Sequence, residues 1–161
     1  MPDIPTELLL ALHLLAIAFF IGGQLYYLFI TQPASYEFFT INEQIRFLQS
    51  VLKRQNPILL LALCIAVVTG GLMVTPLKGQ LGANYFADFG EKLMYKLALF
   101  FIVFFISAYQ SLSVGFRIRF LDPAAMNKNL EKELNTVRLI MTITSIAAIL
   151  TTLYVVYVAL H

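Results

Sequence analysis

The chain has 161 residues, 60% of them apolar and 12% charged, with a net charge of +2 and a mean hydropathy of +0.81. So few charges cannot cover a water-soluble globule of this length, and so little basic surface gives no phosphate footprint for nucleic acid. The single cysteine, Cys64, excludes an intramolecular disulfide and leaves the redox compartment unread.

The charges fall in blocks. Residues 8–30, 55–77, 97–116 and 139–160 carry none. Each run reaches about 20 residues, enough at 1.5 Å per residue to cross a hydrocarbon core of ~30 Å. None alternates as a barrel strand does. The sequence therefore predicts an all-α fold. It is a single integral membrane domain over residues 1–161, a bundle of four transmembrane helices near 7–30, 57–76, 92–116 and 138–160.

No cleaved leader is expected before the first span. Asp3 and Glu7 stand there without Lys or Arg, and no small-residue cleavage pattern follows. His13 lies inside the span, where an ionisable residue is by default a functional-site hypothesis. It shares a stripe with Ala16, Phe20, Gly23 and Tyr27, with Gln24 beside it. Small residues in such a stripe allow close helix approach or room for a planar ligand. The other reading is a neutral histidine bonded to a neighbouring helix.

In the first loop, Thr40-Ile41-Asn42-Glu43 has the spacing of a capping box. Ile41, Ile45, Leu48 and Leu52 then recur at helical spacing. They predict a short amphipathic helix on the cytoplasmic surface, ending near Gln55-Asn56-Pro57. Alternatively, the same residues prefix the second span, with a kink at Pro57. Within that span Cys64 reads as a buried small hydrophobe and Gly70-Gly71 as a packing face. Met73 falls at a depth compatible with His13. The second loop, 76–91, combines Gly79, Gly82 and Gly90 with Tyr85, Phe86 and Phe89, which suits turns and an interfacial aromatic belt.

Lys96 lies in the first turns of the third span, which starts on the same side as the first. His13 and Lys96 thus fall at similar depth. Val103, Ser107 and Gln110 continue the Lys96 face, which points the lysine inward rather than snorkelling to the interface. Met94 is two residues from Lys96 and faces elsewhere. Asp122-Pro123 reads as an N-cap and first helical residue, so the fourth helix is expected to project beyond the membrane. Thr142, Ser145, Ala148 and Thr152 make a small, weakly polar packing stripe.

Basic residues set the orientation. Arg46, Lys53 and Arg54 occupy the first loop, and Arg117, Arg119, Lys128, Lys132 and Arg138 the third. The second loop and the termini hold far fewer. By the positive-inside rule, loops one and three are cytoplasmic and both termini lie on the outer side of an inner (cytoplasmic) membrane, multi-pass.

Imidazole with thioether is a haem ligation pattern, and it also suits soft copper. No phosphate loop, dinucleotide fingerprint, zinc-protease motif or serine elbow appears. The only other histidine is His161, so one chain cannot build a bis-histidine two-haem cytochrome. No intramembrane acidic ring supports a cation pump.

The run Ala11-Leu12-His13-Leu14-Leu15-Ala16-Ile17-Ala18-Phe19-Phe20-Ile21-Gly22-Gly23 resembles the first helix of the CopD/HemJ-like integral membrane superfamily. That group joins copper-resistance D-type domains to HemJ-type protoporphyrinogen oxidases. Glu91-Lys92-Leu93-Met94-Tyr95-Lys96-Leu97-Ala98-Leu99 is similar to the start of the HemJ third helix. The four-helix order matches as well. The resemblance implies His13 as a haem b ligand and Lys96 as a functional, catalytic residue. Position 94 is methionine where the group often has histidine.

The expected function is a haem b-binding membrane protein in electron transfer or porphyrinogen oxidation. His13 supplies the metal-ligating nitrogen, and Met73, Met94 or nothing supplies the second ligand. Lys96 would pair with a haem propionate or an acidic substrate group. Expected partners are the lipid bilayer, a quinone or respiratory partner complex, and further copies of the chain. Two other classes stay open: a cofactor-free structural or accessory subunit of a larger membrane complex, and copper transport or copper resistance.

Overall fold

The structure, a computed structural model, describes residues 5–81, 90–120 and 130–160. All of these are helical except Pro5 and the pair Phe39-Thr40. The chain begins with α1 (Thr6–Tyr26), passes through a π-turn (Tyr27–Thr31) and continues as α2 (Gln32–Phe38). Helix α3 (Ile41–Leu81) follows. The third rod is α4 (Gly90–Tyr109), a second π-turn (Gln110–Val114) and α5 (Gly115–Phe120), and the fourth is α6 (Leu130–Leu160). The four rods are long and apolar enough to cross a membrane.

The first rod runs past residue 30 to Phe38 despite Pro33. A proline cannot donate to the carbonyl four residues back, and its ring crowds that carbonyl. The π-turn just before it widens the helix by one residue, a local adjustment that lets the rod continue. Phe39 then turns extended and ends it. Thr40 opens α3: its amide and hydroxyl both donate to Glu43 Oε2, at 2.9 and 2.7 Å. Gln44 closes the corner by donating from Nε2 to the Phe39 carbonyl at 2.7 Å. The glutamate half of the capping box is thus present. The threonine hydroxyl is spent on the carboxylate instead of accepting from an amide.

The separate amphipathic helix expected at the cytoplasmic surface is not a separate element. Residues 41–56 are the first turns of α3, which spans 41 residues, about 60 Å at 1.5 Å per residue. Pro57 lies inside it. The missing donor there leaves only the Lys53 carbonyl without its helical partner, and Lys53 is exposed. The apolar face meets protein: Ile45, Leu48 and Leu52 are buried with Tyr27, Ile118, Leu134 and Met141. A second core, Phe20, Leu59, Leu63, Val103 and Ala148, lies in the apolar part of the spans. Helix α6 starts at Leu130, so the fourth span does extend ahead of residue 138.

The exterior is apolar where a soluble protein's would be charged. Leu15, Phe29, Phe105 and Leu150 are all largely exposed, which fits a lipid environment. Cys64 belongs to this surface. It is exposed and not buried as its mid-span position suggested, because the neighbours that face inward are Leu63 and Ala66. The second-loop aromatics and the Asp122-Pro123 cap lie outside the described residues.

Candidate functional site

The bundle is two helical hairpins. Helix α1 packs along α3, and α4 packs along α6. At Gly23 the first pair is so close that a Cβ would collide with the Leu59 side chain. Towards the first and third loops the two hairpins close over the Tyr27–Ile45–Ile118–Leu134 core. Between α3 and α4 the described residues make few contacts. A cavity of about 510 Å³ lies at the end away from those loops.

The antiparallel order explains what meets there. Residues early in spans one and three share a level with residues late in spans two and four. His13, Met73 and Lys96 all line the cavity, with Thr152 from the fourth span. The rest of the wall is apolar, including Phe20, Leu63, Phe100 and Val103. Two of the wall residues, Phe20 and Val103, are nearly fully buried.

His13 is held by the second span. Its Nδ1 lies 2.7 Å from the Ala66 carbonyl oxygen and 3.2 Å from Thr69 Oγ1. A carbonyl can only accept, so Nδ1 carries the proton and donates. In the neutral ring Nε2 is then the nitrogen that offers a lone pair. Thr69 is itself fixed by bonding back to the Ile65 carbonyl at 2.7 Å. Gly70 makes room for the ring: a Cβ there would stand 3.1 Å from His13 Cε1. The backbone seat of a metal-ligating histidine has this form, one nitrogen bonded to a carbonyl and the other offered outward.

The other candidates separate. Met73 and Lys96 are half-buried in the cavity wall. Met94 is 74% exposed and is not among the residues that line the cavity. The reason is the angular offset between positions 94 and 96 on one helix. Among the described residues no group of three or more His, Cys, Asp or Glu side chains could hold a metal ion.

Two polar clusters below the cavity were only half visible in the sequence. Gln24, Gln110 and Ser145 are buried together: Gln24 Nε2 donates to Gln110 Oε1 at 3.3 Å, and Gln110 Nε2 to Ser145 Oγ at 3.0 Å. Gln110 opens the second π-turn. One turn nearer the cavity, the buried Ser107 Oγ has no hydrogen-bond partner. Further along, Arg138 is 2% exposed, not the loop residue that its charge implied. It donates from one guanidinium nitrogen to Ser35 Oγ and Gln44 Oε1, at 2.9 and 2.8 Å. Its guanidinium stacks 3.7 Å from the Tyr36 ring centroid. It therefore ties α2, α3 and α6 together with neutral partners. The signal for both clusters was a polar residue on an otherwise apolar inward stripe.

No family model, no curated protein and no solved structure matches this chain.

Proposed function

We propose that the protein is a haem b-binding membrane protein of the inner membrane, acting in electron transfer, with loops one and three on the cytoplasmic side. The observation that carries the reading is the seat of His13: Nδ1 donates to the Ala66 carbonyl, and Nε2 is left for a ligand in an apolar cavity of about 510 Å³. Ligand cavities commonly have volumes of ~300–1,000 Å³ and mostly apolar walls, so size and lining suit a flat macrocycle. Haem b would supply one-electron exchange at its iron.

Each residue has a distinct task in this reading. His13 Nε2 would hold the haem iron, and the Ala66 carbonyl fixes the orientation of the ring. Met73 is the one thioether among the described wall residues and would be the second group to hold the iron. Lys96 offers an ammonium to a carboxylate of the occupant, an attraction that the apolar wall strengthens by excluding water. If the occupant's neighbour is a porphyrinogen, as the CopD/HemJ-like resemblance implies, the same lysine would receive its acidic side chains.

A titration tests this reading. Protein purified in mild detergent and mixed with haemin should show a Soret band that saturates at one haem per chain. Met73→Leu should change the spin-state bands and leave the stoichiometry intact. Absorbance that rises without saturation, or equally in His13→Ala, would contradict specific binding. Copper bound stoichiometrically to the haem-free protein would instead favour copper handling.

A further inference from the structure

We propose that the bundle holds a buried water route, which enters beside Lys53 at the end of loops one and three and reaches the Ser107 hydroxyl, one helical turn from the cavity wall. Its use in bringing protons towards the cavity rests on the redox reading above; the route itself rests on the polar groups beneath the cavity.

Two buried polar atoms on this line lack a protein partner. Ser107 is 4% exposed, and its Oγ makes no hydrogen bond. Gln55 donates from Nε2 to the Gly23 carbonyl at 2.7 Å, while its buried Oε1 accepts from nothing. Gln24, next to Gly23, belongs to the buried Gln24–Gln110–Ser145 cluster, so these groups lie close to one level of the bundle. Buried polar atoms in folded proteins nearly always have a partner, either protein or ordered water.

A way in for water lies beside them. A small cavity of about 40 Å³ is lined by Lys53, Asn56 and Ser111, with Leu52, Pro57 and Ile118. One water needs roughly 10–15 Å³ and about two to four polar partners, so this space can hold it. Lys53 is exposed, which joins the cavity to the loop end, and Asn56 is buried. Pro57 cannot donate to the Lys53 carbonyl, which adds a free backbone acceptor. Each unpartnered group is tied to this cavity by its own helix. Asn56 follows Gln55 directly, and Ser111 follows Ser107 by about one turn on the same face. One turn the other way from Ser107 is Val103, in the wall of the large cavity. The stripe Val103–Ser107–Ser111 thus leads from the large cavity to the small one. A hydroxyl can accept a proton on a lone pair as it gives up its own, so Ser107 and ordered water can pass a proton along with no net change in either. The amides of Gln55 and Asn56 hold the water in place.

The test is infrared spectroscopy of a thiol placed at the end of the route. In a Cys64→Ala background, Ser107→Cys is moved in lipid nanodiscs from light to heavy water, and its S–H band is followed as it converts to S–D. Conversion is expected at least tenfold faster than for Ala62→Cys, a thiol placed in the apolar core beside Leu59 and Leu63. Adding Asn56→Leu should slow position 107 at least tenfold and leave Ala62→Cys unchanged. Equal rates at 107 and 62, as for a dry Ser107 that bonds back to its own helix, overturn the proposal. So does a rate at 107 indifferent to Asn56→Leu. Should Ser107→Cys not fold, X-ray hydroxyl-radical footprinting of the wild type gives the second reading. Ordered water in the small cavity is expected to mark Leu52 and leave Leu134 unmarked, although both are almost fully buried in the same core. Equal marking of the two, or none on Leu52, overturns the proposal. None of these readings needs haem. A colourless protein with fast exchange at 107 would keep the route and remove the haem reading.

Discussion

The imidazole of His13 has its tautomer decided by one backbone carbonyl and its position by one missing methyl group. Both can be tested. Gly70→Ala would place a Cβ 3.1 Å from Cε1, which requires the ring to give by a few tenths of an ångström. Gly70→Val would drive the ring from the Ala66 carbonyl. Haem affinity is expected to fall modestly for Ala and at least tenfold for Val, read as the midpoint of a haemin titration. Gly22→Ala is the control, because a Cβ there meets nothing within 4 Å. Its titration should match the wild type. Equal affinity in Gly70→Val would show that the ring does not need its seat. Sequence reading singled out His13 because a lone ionisable residue inside a span is costly. It could not find the seat, since Ala66 contributes only backbone and Gly70 only an absence.

At the scale of single helices, the joints are π-turns and buried polar contacts. The Gln24–Gln110–Ser145 cluster joins three spans and is buried. Gln110→Leu removes its central member and leaves Gln24 without a side-chain partner. Interhelical hydrogen bonds of this kind are worth about 0.6 kcal/mol on average and up to about 1.7. A loss in that range is expected on unfolding in detergent, and no loss would mean that the cluster is not a joint. Gly23→Ala forces a Cβ into Leu59, and overpacking of this sort costs roughly 1–3 kcal/mol. Leu59→Ala in the same chain should recover part of that loss; failure to recover any would place the strain elsewhere. The span centres were legible from charge-free runs. Their ends were not: the first span, expected to stop near residue 30, runs on through a π-turn to Phe38, and the helix expected to end near Gln55-Asn56-Pro57 continues into the second span.

The whole molecule is a bundle packed around an apolar core at one end and holding a cavity at the other. Its closed end extends beyond the hydrocarbon, because α3 at about 60 Å is twice the thickness of the core. Arg138 belongs to that end. It was legible as a topology-setting charge, but its burial beneath Tyr36 depends on three segments distant in sequence meeting. Orientation has a direct readout. In a Cys64→Ala background, Ser50→Cys is expected to react with an impermeant maleimide only from the cytoplasmic face, and Thr6→Cys only from the outer face. The reverse pattern would invert the topology and put the cavity in the cytoplasmic half. The four spans, and the shared level of His13, Met73 and Lys96, followed from hydrophobic runs and antiparallel order. The pairing of α1 with α3 and of α4 with α6 did not, because it depends on how side chains pack between helices.

The central claim is that His13 holds haem in this cavity. The most direct measurement is the visible spectrum of the purified protein, oxidised and then reduced with dithionite, beside that of His13→Ala prepared from cells given the same haem supply. The account predicts a Soret band and a sharpened α-band on reduction in the wild type, both lost in the variant. A featureless wild-type spectrum, or bands that persist unchanged in His13→Ala, would contradict it.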